Sequence, residues 1–151
     1  MANTQAFCNQ AKLDMMNGKH ALGASVVRGT TAKDSYKAAL YLASATVDKT
    51  TVAYSATGEV SGTNYTAGGV AVTTASAPSL TNDVAHFTPS SSIVFTNVTL
   101  GTSFDAVLIY NSSQANGALS VHTFGSQTVT AGDFTLTMPA DTDTTGLVRN
   151  G

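Results

Sequence analysis

The most regular alternation of apolar and polar positions runs from Ser35 to Ala43. There Tyr36, Ala38, Leu40 and Leu42 fall on one side and Lys37, Ala39 and Tyr41 on the other. A period of two predicts a β-strand with one well-buried face, and the Ser/Thr-rich flanks keep the segment too short for a helix of the same Ala and Leu content. Further short strands are predicted at Val70–Thr74, Val84–Thr88, Ser92–Thr96, Asp105–Asn111, Leu119–Phe124, Gln127–Val129 and Phe134–Met138. Gly, Pro, Asn and Ser separate them at the spacing of an all-β sandwich or barrel. Within the fourth of these, Ala106–Tyr110 is apolar almost without interruption, the pattern of a central strand buried on both faces. The polar run Asn111–Gly117 reads as a hairpin loop, with Asn116-Gly117 placed to supply positive φ angles. After the loop Pro139–Gly146, Leu147–Arg149 reads as a last edge strand or extended tail.

Only the N-terminus departs from this pattern. Phe7, Ala11 and Met15 recur four residues apart, Thr4 precedes them as an N-cap, and Asn17-Gly18 supplies a stop, so Thr4–Met16 is predicted to be a short helix, its apolar face widened by Leu13 and Met16. Such a helix either plugs one end of the sheet domain or serves as an arm that docks on a neighbouring subunit, with Phe7 and Met15 as its contact residues. Lys19–Lys33 has no sustained period and is expected to be an irregular connection with a short strand at Ser25–Arg28. The predicted architecture is therefore mainly β, an antiparallel, jelly-roll-like β-sandwich over residues 34–151, preceded by an N-terminal helix and connection over residues 1–33. Ser44–Thr66, long and polar, fits no element and is expected to be either functional or a missed element.

Composition narrows the partners. Only 11% of the 151 residues are charged and the net charge is −2, against about 25% charged in an ordinary soluble domain, while Ser and Thr make up roughly a quarter. Weak charge argues against nucleic acid and anionic lipid as partners. Folding a chain of this mass is expected to leave roughly 7,000 Å² exposed. A surface solubilised by hydroxyls rather than ions fits one that is partly covered by neighbours. The lone Cys8 allows no internal disulfide, and no apolar run or leader-like start predicts a membrane span or export.

Chemistry is thinly represented. His20, His86 and His122 lack ligand-spaced partners, and no Gly-x-Ser-x-Gly elbow supports a triad. Asp141-Thr142-Asp143 begins like a calcium loop but lacks its glycine and distal glutamate. The sequons at Asn64, Asn97 and Asn111 are expected by chance in so Ser/Thr-rich a chain, and no Gly-rich phosphate cradle is present. No enzyme, cofactor or metal is expected.

The segments Tyr36–Tyr41 and Thr51–Gly69, the latter reading T-V-A-Y-S-A-T-G-E-V-S-G-T-N-Y-T-A-G-G, resemble a pattern found in a family of small virion structural proteins of tailed bacteriophages. Ala106–Asn111 and Phe134–Pro139 also fit it, and the resemblance spans roughly residues 36 to 149. It implies a non-enzymatic capsid decoration or cement protein, made in the host cytoplasm and located on the capsid surface. It would bind the major capsid protein and form a dimer or trimer. A tail, fibre or spike adaptor, or a carbohydrate-binding β-sandwich module, are the alternative readings. Within Tyr54–Gly69 the glycines would allow tight turns. Tyr54, Glu59 and Tyr65 are the interface candidates; the same tyrosines would equally serve to cap the edge of the sheet.

Overall fold

A computed structural model describes residues 2–16, 19, 20, 22, 33–73 and 77–150. The expected strand at Ser25–Arg28, the Asn17-Gly18 stop and the side chains of Leu13 and Met16 lie outside the described residues. The elements are β1 (Ala6–Phe7), α1 (Asn9–Met16), β2 (Tyr36–Leu42), β3 (Val70–Val72), β4 (Ser79–Thr81), β5 (Val84–Phe87), β6 (Ile93–Asn111), β7 (Gly117–Leu136) and β8 (Val148–Asn150). They form two antiparallel sheets, one ordered β1-β7-β6-β2-β3 and one ordered β4-β5-β8. The fold is thus mainly β, as expected, and the two sheets are not closed on each other. The exposed area is 7506 Å², close to that expected for a self-contained chain of this mass.

Two strands dominate. The short strands predicted between Ser92 and Asn111 are one continuous β6, and those between Leu119 and Met138 are one β7. The residues that read as breaks are bulges: the β6–β7 register shifts between Phe95 and Val98, Val98 and Leu100, Leu100 and Phe104, and Phe104 and Ala106. Ala131, beside this region, adopts φ 46°. Bulges bend the ribbon they interrupt, and here the bend is sharp. Phe104 pairs with Gln127, and the seven residues on to Phe134 would span roughly 23 Å in a straight strand. Yet the Phe104 and Phe134 ring centroids are 4.9 Å apart. The open end of the hairpin, here the arm, therefore folds back over its own sheet, and Phe95, Phe104, Phe124 and Phe134 pack in the crook.

The expectation of a β2 with one buried face is corrected, because both of its faces are covered. By register and alternation, Tyr36, Ala38 and Leu40 share a face with Val107, Ile109 and Asn111, while Ala39 and Tyr41 share the other with Leu108 and Ala106. The arm covers the first face, where Ile93, Leu136, Met138 and Leu147 enclose an apolar cavity of about 140 Å³ with Val107 and Ile109. The segment after β2 covers the second. Ala38–Tyr41 is consequently buried throughout, as is Ala106–Tyr110, the one strand expected to be buried on both faces. The hairpin loop lies where predicted, but its positive φ angles fall on Ala115 and Asn116 rather than on Asn116-Gly117.

At the N-terminus the helix begins at Asn9, not at Thr4. Ala6 and Phe7 instead pair with Val121 and Ser120 as an edge strand, and Thr4 donates its N–H to Val47 O at 3.2 Å rather than capping a helix. Pairing with a strand already in place satisfies backbone groups that an isolated first turn leaves open. Cys8 and Ala11 are fully buried, so this segment packs on its own chain's sheet. The strand Ser79–Thr81 gave no sequence signal because every residue in it is exposed. No helix among the described residues is long and apolar enough to cross a membrane.

Candidate functional site

The polar segment after β2 is an ordered cover for a sheet edge. β3 pairs with β2 only at Tyr36–Ala38, which leaves the later backbone groups of that edge in need of partners. Residues 58–65 provide them: Leu42 N–H donates to Gly58 O at 2.9 Å, Val60 N–H to Leu40 O at 3.0 Å, and Leu40 N–H to the Tyr65 hydroxyl at 3.0 Å. Glu59 bridges Tyr41 within this run and is thereby fixed at the sheet edge.

The Glu59 carboxylate gathers three donors. Oε2 accepts the Tyr54 hydroxyl at 2.6 Å, and Oε1 accepts both the Tyr65 hydroxyl and the Gly68 N–H at 2.8 Å. Hydrogen bonds to an ionised acceptor are short and strong, so one side chain cross-links the loop at three points. The rings are equally committed. Tyr54 stacks on Tyr110 at 4.8 Å and Tyr65 on Phe95 at 5.8 Å, while Tyr110 donates to Gly68 O at 2.7 Å and Tyr41 to Ser55 O at 2.5 Å. Burial first, and the hydrogen bond to Glu59 second, push the Tyr54 phenol far above its ordinary range. Tyr65 is raised by burial and by Glu59 despite the opposing Leu40 N–H, and burial lifts Tyr41 to about 12. Gly69 makes the return to β3 possible, because it adopts φ +72° and a Cβ there would lie 1.8 Å from Ala38 O.

Of the five interface candidates, the structure brings Tyr54, Glu59 and Tyr65 together and leaves Phe7 and Met15 elsewhere. All three of the first group are half-buried, their polar atoms turned inward on one another. The loop shows solvent Val52, Ser55–Thr57, Ser61–Asn64 and Thr66–Ala67 instead, none of them among the interface candidates. Phe7 lines a separate cleft of about 370 Å³ with Gln5, Ser120, His122, Asp143 and Arg149. Met15, on α1, is half-buried against the core.

The groups with chemical potential are engaged in structure. In the cleft Ser120 Oγ and His122 Nε2 lie 2.9 Å apart, but Ser120 is 1% exposed and burial pushes the imidazole down to about 4, too weak a base to activate a hydroxyl. His86 Nδ1 meets Asp141 Oδ1 at 2.9 Å, and its Nε2 lies 3.4 Å from Thr81 Oγ1, which ties the C-terminal loop to the small sheet. Asp143 accepts the Asn82 amide at 2.6 Å, so the two carboxylates of the calcium-like sequence serve different partners. No group of three metal-ligating side chains occurs among the described residues. Cys8 is fully buried, and burial, reinforced by Asp48, raises its thiol to about 11.

No family model matches the chain, and neither a curated protein nor a solved structure matches it.

Proposed function

We propose that this chain is a non-enzymatic structural protein of a tailed-bacteriophage virion, a decoration or cement protein that binds the major capsid protein on the assembled head. In this reading the two sheets are the halves of an open, jelly-roll-like β-sandwich, and the protein sits on the capsid surface as a homo-oligomer without nucleic acid, membrane or cofactor. One observation carries it. The residues that give the Thr51–Gly69 segment its likeness to the virion family are the ones with defined structural duties: Glu59 as the hub, Tyr54 and Tyr65 as its donors, Gly68 and Gly69 as the close-packed return. A sequence pattern that encodes a cross-linked surface loop supports a binding role.

The mechanism is mass action. A protein that binds the assembled lattice and not free subunits stabilises the shell, and simultaneous contact with several capsomers multiplies modest affinities. The test is the copy number in purified virions relative to the major capsid protein. Copies in the hundreds support decoration; a number matching a single ring at the tail overturns it in favour of an adaptor. Particles lacking the protein are expected to lose DNA at lower temperature and after osmotic shock.

A further inference from the structure

We infer that the fold-back builds a binding site for a small ring compound with one uncharged hydrogen-bonding group, of the size and kind of phenol, held between the arm and the sheet. The inference goes beyond the virion reading and does not depend on it. One face of the sheet supplies the floor. Val107 pairs with His122 and Ile109 with Ser120, which in turn lies opposite Phe7, so these five side chains share the face that the arm covers. Above them stand Ile93 and Leu136, paired with each other at the end of the arm. The apolar cavity between floor and arm measures about 140 Å³, and the cleft of about 370 Å³ at Phe7 lies further along the same face. His122 and Leu147 line both, and exposed Thr137 borders the cavity where solvent reaches it.

Size and lining define the occupant. Folded interiors leave few voids larger than a water molecule, and those that stay dry are apolar. An apolar cavity of about 150 Å³ admits benzene. One of about 140 Å³ walled by Ile93, Val107, Ile109, Phe124, Leu136 and Met138 therefore fits one six-membered ring. Its chief polar wall is His122. Nε2 lies 2.9 Å from Ser120 Oγ, and no described residue forms a hydrogen bond to Nδ1, which leaves one ring nitrogen for a ligand. The Ser120 hydroxyl can donate to Nε2 or accept from it, so Nδ1 can present an N–H or a lone pair. Burial keeps this imidazole neutral, its pKa pushed down to about 4, and an ion brought beside it would lose hydration without gaining a counter-charge. The charges of the adjoining cleft are already engaged: Asp143 accepts the Asn82 amide, and Arg149 donates to Thr144 O. The ligand is thus uncharged, with its ring among the aliphatic side chains and its polar group at His122.

The experiment is an NMR titration of the full chain with phenol, toluene and benzoate, read at methyl and imidazole resonances. Phenol is expected to shift the methyls of Ile93, Ile109 and Leu136 and the His122 ring, saturating with a dissociation constant below about 1 mM. Benzoate, the charged analogue, should bind at least roughly tenfold more weakly. Leu136→Phe and Met138→Phe, which fill the cavity from the arm side, should each weaken phenol by roughly tenfold or more. His122→Leu should weaken phenol by a similar factor and leave toluene within about threefold, a split that a general loss of structure would not produce. The inference is overturned by the absence of saturable shifts up to roughly 10 mM phenol, by shifts spread over the surface, or by benzoate binding as tightly as phenol. Phenol affinity unchanged in folded Leu136→Phe and Met138→Phe, or equal losses of phenol and toluene in His122→Leu, would overturn it as well.

Discussion

Replacing Glu59 by alanine removes the acceptor shared by the Tyr54 hydroxyl, the Tyr65 hydroxyl and the Gly68 N–H, all within 2.8 Å. Each donor left without its partner costs about 1–3 kcal/mol when buried, and the half-buried setting puts these at the lower end because water reaches part of the site. A total loss of roughly 3–5 kcal/mol is expected, a large share of the ~5–15 kcal/mol that a domain commonly has. Glu59→Gln separates the hydrogen bonds from the charge. Its amide oxygen still accepts from Tyr65 and Gly68, and its NH₂ donates to Tyr54 once that hydroxyl rotates, so the cost should be only about 1 kcal/mol. Urea unfolding followed by tyrosine emission suits the measurement, since the chain has 5 Tyr and no Trp. An alanine variant that loses less than about 1 kcal/mol, or one no worse than the glutamine variant, would refute the assignment of Glu59 as the loop's hub.

Three further outcomes are expected. Tyr41, Tyr54, Tyr65 and Tyr110 all have phenols raised chiefly by burial; each contributes its full stability below about pH 10, where the unfolded phenol titrates, and loses it as pH rises towards the folded value. Absorbance at alkaline pH should therefore show these tyrosines ionising together with unfolding, and a free titration of all of them near pH 10 in folded protein would contradict the burial described. The Cys8 thiol, raised to about 11, should resist a thiol reagent at neutral pH and react at once in denaturant; rapid labelling of the native chain would be inconsistent with its position. Gly69→Ala should destabilise by at least about 3 kcal/mol, combining positive φ with collision against a backbone oxygen, while Gly101→Ala, which meets nothing within 4 Å, should stay within about 0.5 kcal/mol in the same denaturation assay.

Some of this architecture was written locally. The antiparallel β class, the strand at Tyr36–Leu42, the burial of Ala106–Tyr110 and the position of the hairpin loop follow from alternation, apolar runs and turn residues, which depend on neighbours in sequence. Among the candidate contacts, Tyr54, Glu59 and Tyr65 stood out by their pattern, and they do converge. What the pattern could not reveal was direction: their hydroxyls and carboxylate face one another.

The remaining features were decided by contacts between distant residues. Asn97, Gly101 and Gly132 read as turns because a bulge and a turn use the same permissive residues; only pairing with the opposite strand makes one a bend in a continuous ribbon. Phe7, Ala11 and Met15 fit a helix face, but Phe7 lies opposite Ser120, more than a hundred residues away, and that partner makes it a strand. Alternation marked one buried face on β2, while the second was buried by a cover its own sequence does not encode. Sequence by itself therefore determined that Tyr36–Leu42 and Ala106–Tyr110 are extended and where the loop at Asn111–Gly117 reverses the chain. Tertiary structure decided which faces are covered, because burial belongs to the pair of surfaces that meet and not to either one alone.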